Sequence, residues 1–199
     1  MKIYHYTKGI SINGIFTDGF IATESKRGLN KLPTLTDCVW LTVKNQFPKT
    51  ALPLINDMPE TNLMCHINKS VYVDLNKVSL VVGGLYRFSF DSSDNRFKFW
   101  WLSSERKAIK NNVMWKMMES IANKVKDEVS SFWISSADVK LESFTLEIYE
   151  DSEWKEILTN VSLSTITKEQ QKIIDDLTLQ SKTVCESLNL PTQQVRLAA

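Results

Sequence analysis

The chain begins Met1-Lys2-Ile3-Tyr4-His5-Tyr6-Thr7-Lys8-Gly9. Branched and aromatic side chains dominate this stretch, and residues 2–6 predict a short first β-strand. One of only two histidines in the protein sits inside it. A histidine in a strand is often a half-buried structural residue, so its neighbours decide whether it does more.

Outward from that strand, Ile10, Ile12, Ile15 and Phe16 fall on one face of a helix that stops at Gly19, and Phe20-Ile21-Ala22 reads as a second strand. The polar stretch 23–37, with Lys26, Arg27, Gly28, Asn30, Lys31 and Pro33, is longer than most connections, and long loops between firm elements often carry function. Val39-Trp40-Leu41-Thr42, residues 70–74 and Leu85-Tyr86-Arg87-Phe88-Ser89-Phe90 are β-prone, and Gly83-Gly84 predicts a hairpin turn before the last of them. Alternation there puts Tyr86, Phe88 and Phe90 toward a core. Arg87 then faces the other way, toward either an anion in a cleft or a nearby carboxylate.

Residues 112–129 predict a long amphipathic helix, with Met114, Met117, Met118, Ile121, Ala122 and Val125 on one stripe. Strand character returns at 131–134, 144–149 and 154–157, the last two joined by the turn residues Glu150-Asp151-Ser152-Glu153. Thr167-Lys168-Glu169-Gln170 has the form of a capping box. It opens a helix whose apolar stripe, Ile173, Ile174, Leu177, Val184 and Leu188, docks on the domain or pairs with a second copy. The pattern predicts an α+β fold with a mixed or antiparallel sheet, split by one long helix. We place one domain at residues 1–158 and a helical C-terminal extension at 159–199.

Composition narrows the function classes. With 43% hydrophobic residues and six tryptophans the chain has material for a well-filled core, which excludes a disordered protein. The formal net charge of +1 supplies no global field for nucleic acid or membrane, although local patches remain open. Cys38, Cys65 and Cys185 are odd in number and never form a C-x-x-C pair; this favours free thiols in a cytoplasmic protein over a disulfide framework. His66 follows Cys65, but no second ligand pair stands at zinc spacing. Trp100-Trp101, with Phe97 and Phe99 beside Arg96 and Lys98, reads as core packing first and as a base-stacking surface second.

The stretch Tyr4-His5-Tyr6-Thr7, followed by a short helix, Asp18-Gly19-Phe20 and a strand, resembles the opening of the ADP-ribosyltransferase-like superfamily. The nearest branch includes DNA-targeting toxins, RNA 2′-phosphotransferases and small phage proteins that modify bacterial defence enzymes. The resemblance implies an ADP-ribosyltransferase-like split sheet with flanking helices and a C-terminal helix. It also implies NAD as cofactor, held through a ribose by His5 and Thr7, and a macromolecular target, protein or nucleic acid, met in the cytoplasm without a membrane. Trp40 stands where the family carries an aromatic that stacks on nicotinamide, and either Trp40 or Tyr6 would pack on that ring; Trp40 as plain core is the equal alternative. Arg87 would bind the pyrophosphate. The family acid, commonly glutamate, stabilises the ribosyl cation; here Asp138, in Ser135-Ser136-Ala137-Asp138-Val139, occupies that place, with Glu142 second and Glu147 third. The basic residues Lys26, Arg27 and Lys31 would cover the cofactor. Because tryptophan replaces tyrosine and aspartate replaces glutamate, two rivals stand beside transfer: a non-catalytic binding or inhibitor protein that keeps the fold, and hydrolysis of NAD by water.

Overall fold

A computed structural model describes residues 1–23, 37–69, 71–109 and 111–188. The opening strand, β1 (Lys2–Lys8), is central. It leads into α1 (Gly9–Asp18), β2 (Phe20–Ile21), β3 (Val39–Thr42), α2 (Leu63–Asn68), α3 (Leu75–Val81), β4 (Leu85–Asp91) and β5 (Lys98–Phe99). The chain continues through α4 (Ser104–Ile109), α5 (Val113–Lys124), β6 (Phe132–Ser135), β7 (Val139–Lys140), β8 (Phe144–Glu150), β9 (Glu153–Val161) and α6 (Lys168–Ser187). Seven strands form one sheet in the order β5-β6-β3-β1-β4-β8-β9, and β2 pairs with β7 in a separate ribbon. Among the described residues every pairing of named strands is antiparallel. The α+β class with an antiparallel sheet and flanking helices therefore holds.

Period-two alternation gives the sheet two different faces. One face carries Ile3, Val39, Leu41, Tyr86, Phe88, Phe90 and Leu146, packed against Ile12, Ile15 and Phe16 of α1, Ile21 and Val139 of the ribbon, and Ile174 of α6. The opposite face carries Tyr6 and Leu85 under Phe47, Met58, Val78 and Val82, and Ile134 under Trp100, Trp115, Ala122 and Val129. Both faces are covered, so the sheet is the middle of three layers.

The C-terminal helix is part of the same core. A division at residue 158 falls inside β9, and Ile174 shares a cluster with Leu158 and Val161. Ile173 and Leu177 pack on that cluster, and Cys185 lies against Ile10 of α1. The stripe docks within the chain.

Three local readings are corrected. Residues 71–74 join no ladder, because Asp74 instead caps α3 by accepting the Asn76 N–H at 3.1 Å. Gly83 and Gly84 make no hairpin; with φ of +72° and +109° they turn the chain from α3 into β4. The long helix ends at Lys124, since Lys126 adopts a left-handed φ of 67° and the Asp127 N–H reaches back to the Ala122 carbonyl. Lys26, Arg27 and Lys31 lie outside the described residues. No helix among the described residues is long and apolar enough to cross a membrane.

Candidate functional site

His5 and Thr7 leave β1 on the same side as Ile3, the side covered by α1 and the ribbon. Both are buried. The Nδ1 of His5 lies 2.9 Å from the Trp40 carbonyl, which only accepts, so Nδ1 is the donor in that bond. Thr7 Oγ1 and, in the first turn of α1, Ser11 Oγ are buried with no hydrogen-bond partner among the described residues. Buried hydroxyls ordinarily have a hydrogen-bond partner.

Register extends this polar group across the sheet. Tyr4 stands opposite Thr42, which sets Thr7 opposite Val39, and Val39 stands opposite Ser135. Thr7 and Ser135 therefore share a face two strands apart, about 10 Å. Ser135 donates to the Ala137 carbonyl at 2.8 Å, and three residues on the half-buried Asp138 accepts the Thr23 N–H at 3.1 Å. That bond braces the end of the β2–β7 ribbon. Glu142 is exposed beyond it, and its backbone carbonyl takes a bond from Arg96 at 3.1 Å.

Tyr6, Trp40 and Arg87 are not brought together with His5 and Thr7. Tyr6 and Arg87 are direct cross-strand partners on the opposite face. There Arg87 is buried, and its Nε and Nη2 meet the Glu147 carboxylate at 2.8 and 2.7 Å. Nη1 donates to the backbone and side-chain oxygens of Asn45. The rings of Tyr4 and Trp154 stand 4.3 and 4.4 Å from the guanidinium carbon. This fork is filled by protein, so Arg87 is corrected from a pyrophosphate anchor to the centre of a buried network; the carboxylate reading is the one realised. The Tyr6 hydroxyl donates to the Lys44 carbonyl at 2.7 Å, and burial pushes its pKa up to about 12. Trp40 lies nearly parallel to Trp115, 5.7 Å between centroids, with Trp100 edge-on at 4.8 Å. Those rings cover the sheet opposite His5, so the core alternative for Trp40 is the one realised.

Other members of this end of the sheet escaped the sequence reading. Glu105 of α4 accepts from the Ser136 hydroxyl at 2.5 Å and from Lys98 at 3.2 Å, and the Ser136 bond is the main cause holding its carboxyl at about 2. Thr23, Ser135 and Ser11 are small buried polar residues whose sequence context gives no signal of shared location. Among the described residues no three His, Cys, Asp or Glu side chains gather as a metal site.

Comparison with protein-family models, curated proteins and solved structures returned no match to this chain. The site therefore has to be read from its own residues. The His5 imidazole and two hydroxyls with no hydrogen-bond partner among the described residues are buried on this side of the sheet, with the Asp138 carboxylate at its margin.

Proposed function

We propose that this chain is an NAD-dependent ADP-ribosyltransferase of the ADP-ribosyltransferase-like fold, acting on a macromolecular target. The observation that carries the reading is the placement of His5 and Thr7 side by side on one sheet face, with Thr7 Oγ1 buried and unpartnered among the described residues. In this reading His5 and Thr7 hold a ribose of NAD. NAD supplies the glycosidic bond that breaks. Asp138 faces the developing positive charge on the ribose, where a fixed carboxylate lowers the barrier more than it strengthens binding. Glu142, exposed and distant in role, is set aside.

His5 and Thr7 are almost wholly covered, so ligand entry has to displace packed neighbours, and the apparent affinity falls by the fraction of molecules that are open. The packing of the buried Arg87 and the half-buried Trp40 favours one alternative, a non-catalytic binding protein: the cation and stacking ring implied by the resemblance are both engaged by the fold.

Incubation with NAD labelled in the adenylate, together with a cell lysate, separates the readings. Transfer puts label on a macromolecule and His5→Ala abolishes it. Label recovered as free ADP-ribose assigns hydrolysis instead, and label remaining in NAD overturns the enzyme reading in favour of a binding protein.

A further inference from the structure

Between β3 and α2 the chain runs through residues 43–62 with only 3-10 turns and one isolated bridge, Ile55 to Met58. Connections of this length within a compact fold are commonly functional. The first half, residues 44–52, lies over the Tyr6 and Arg87 side of the sheet. Phe47 is buried edge-on to Tyr6, 5.2 Å between centroids, and Ala51 and Leu52 pack half-buried on the same cluster. Lys44, Asn45, Gln46 and Thr50 are exposed.

The backbone of this segment bonds to itself. The Ala51 and Leu52 N–H groups donate to the Pro48 and Lys49 carbonyls, and among the described residues no backbone bond joins 44–52 to a strand or a helix. Side chains from elsewhere hold it in place. At one end the Tyr6 hydroxyl donates to the Lys44 carbonyl at 2.7 Å, and Arg87 Nη1 donates to the backbone and side-chain oxygens of Asn45. At the other end a single carboxylate does the holding: Asp127 accepts the Lys49 N–H at 3.1 Å, the Thr50 N–H at 2.6 Å and the Thr50 hydroxyl at 2.7 Å. The exposed ion pair of Lys44 with Glu128 adds little. Asp127 owes its position to the end of α5, where Lys126 sits in the left-handed region and the Asp127 N–H bonds the Ala122 carbonyl. Such backbone is uncommon for a residue with a β-carbon and persists where its surroundings fix it.

We infer that residues 44–52 form a latched strap, which opens from the sheet as one unit without global unfolding, and that the Asp127 carboxylate is its latch. The ease of local opening follows from how little buried apolar surface and how few bonds are lost. Here the apolar part is Phe47 and two half-buried side chains, and three bonds at one carboxylate release one end. Opening uncovers Tyr6 and parts Arg87 Nη1 from Asn45, so the strap controls access to the Arg87 network on the face opposite His5. This inference does not rest on the NAD reading.

Amide hydrogen exchange of the full chain, followed by NMR, tests it through the four bonded N–H groups of the strap, those of Lys49, Thr50, Ala51 and Leu52. In the wild-type protein we expect their protection factors to be measurable and at least about tenfold below the highest in β4. They should barely change between zero and about 1 M urea while the β4 values fall, because opening the strap exposes little surface. Asp127→Ala should lower the four protection factors by a further tenfold or so and leave β4 unchanged. Asp127→Asn, which keeps one acceptor oxygen, should have a smaller effect, and Lys44→Gln none. Strap groups that share the protection and urea dependence of β4 overturn the inference, because they then open only with the whole fold. Strap groups with no protection in the wild type overturn it as well, since nothing is then latched. So does an Asp127→Ala variant that leaves the strap unchanged, or that lowers strap and β4 by the same factor.

Discussion

Arg87 shows what alternation along one strand can and cannot say. The pattern of residues 85–90 put it on the face away from Tyr86, Phe88 and Phe90, and it is there. Alternation is silent about what lies over that face, because Glu147, its partner, is sixty residues away and belongs to β8. A buried ion pair broken on one side leaves an uncompensated charge, so Glu147→Gln should lower unfolding stability by about 3 kcal/mol in urea titration. The joint replacement Arg87→Met/Glu147→Leu should recover most of that loss, since apolar residues of similar size leave no charge behind. A mild effect of the single variant, or a joint variant no more stable than the single one, would contradict this account. Glu105 offers a pH counterpart. Its folded-state carboxyl is depressed to about 2 from an ordinary value of 4.5, so the stability it contributes is complete above about 4.5 and disappears as pH falls toward 2. The stability difference between wild type and Glu105→Gln should shrink over that window and be constant from pH 5 to 7.

Helices and strands differ in how much of themselves they write into sequence. The capping box at Thr167 was legible because both halves are local: Thr167 accepts from the Gln170 N–H at 3.2 Å, and the Gln170 side chain accepts from the Thr167 N–H at 2.9 Å. Removing it with Thr167→Ala should cost about 1 kcal/mol. Gly19 was legible for the same reason, ending α1 in the left-handed region at φ +76°. Short helices α2, α3 and α4 were missed; at six or seven residues they show less than two full periods, and their stability comes from packing rather than pattern. The role of Gly9 was hidden as well, since it depends on a contact with a distant loop. The first turn of α1 rests on residues 82–84, with the Gly9 N–H on the Gly84 carbonyl at 2.8 Å, and a Cβ at Gly9 would stand 1.8 Å from the Gly83 oxygen. Gly9→Ala should therefore destabilise by at least about 2 kcal/mol in urea, far more than a helix-start glycine in open space; wild-type stability would show that the loop yields freely.

For the molecule as a whole, the sheet's two covered faces decide which residues are able to act together. The resemblance gathered His5, Tyr6, Thr7, Trp40 and Arg87 around one cofactor, yet adjacent residues of a strand point to opposite sides, so His5 and Thr7 share one face and Tyr6, Trp40 and Arg87 the other. Sequence made the strands and the α+β class readable; it left the shared face of Thr7 and Ser135 unreadable, because that placement comes from register between β1, β3 and β6 rather than from spacing in the chain. The central claim is that the His5 face receives NAD, and calorimetric titration of NAD into the full chain tests it most directly. We expect saturable binding at one NAD per chain, weakened at least about tenfold by His5→Ala and by Thr7→Val in variants that keep the wild-type circular dichroism, with Arg96→Gln binding as wild type. Absence of binding to the wild-type protein, or undiminished binding to folded His5→Ala, would contradict it.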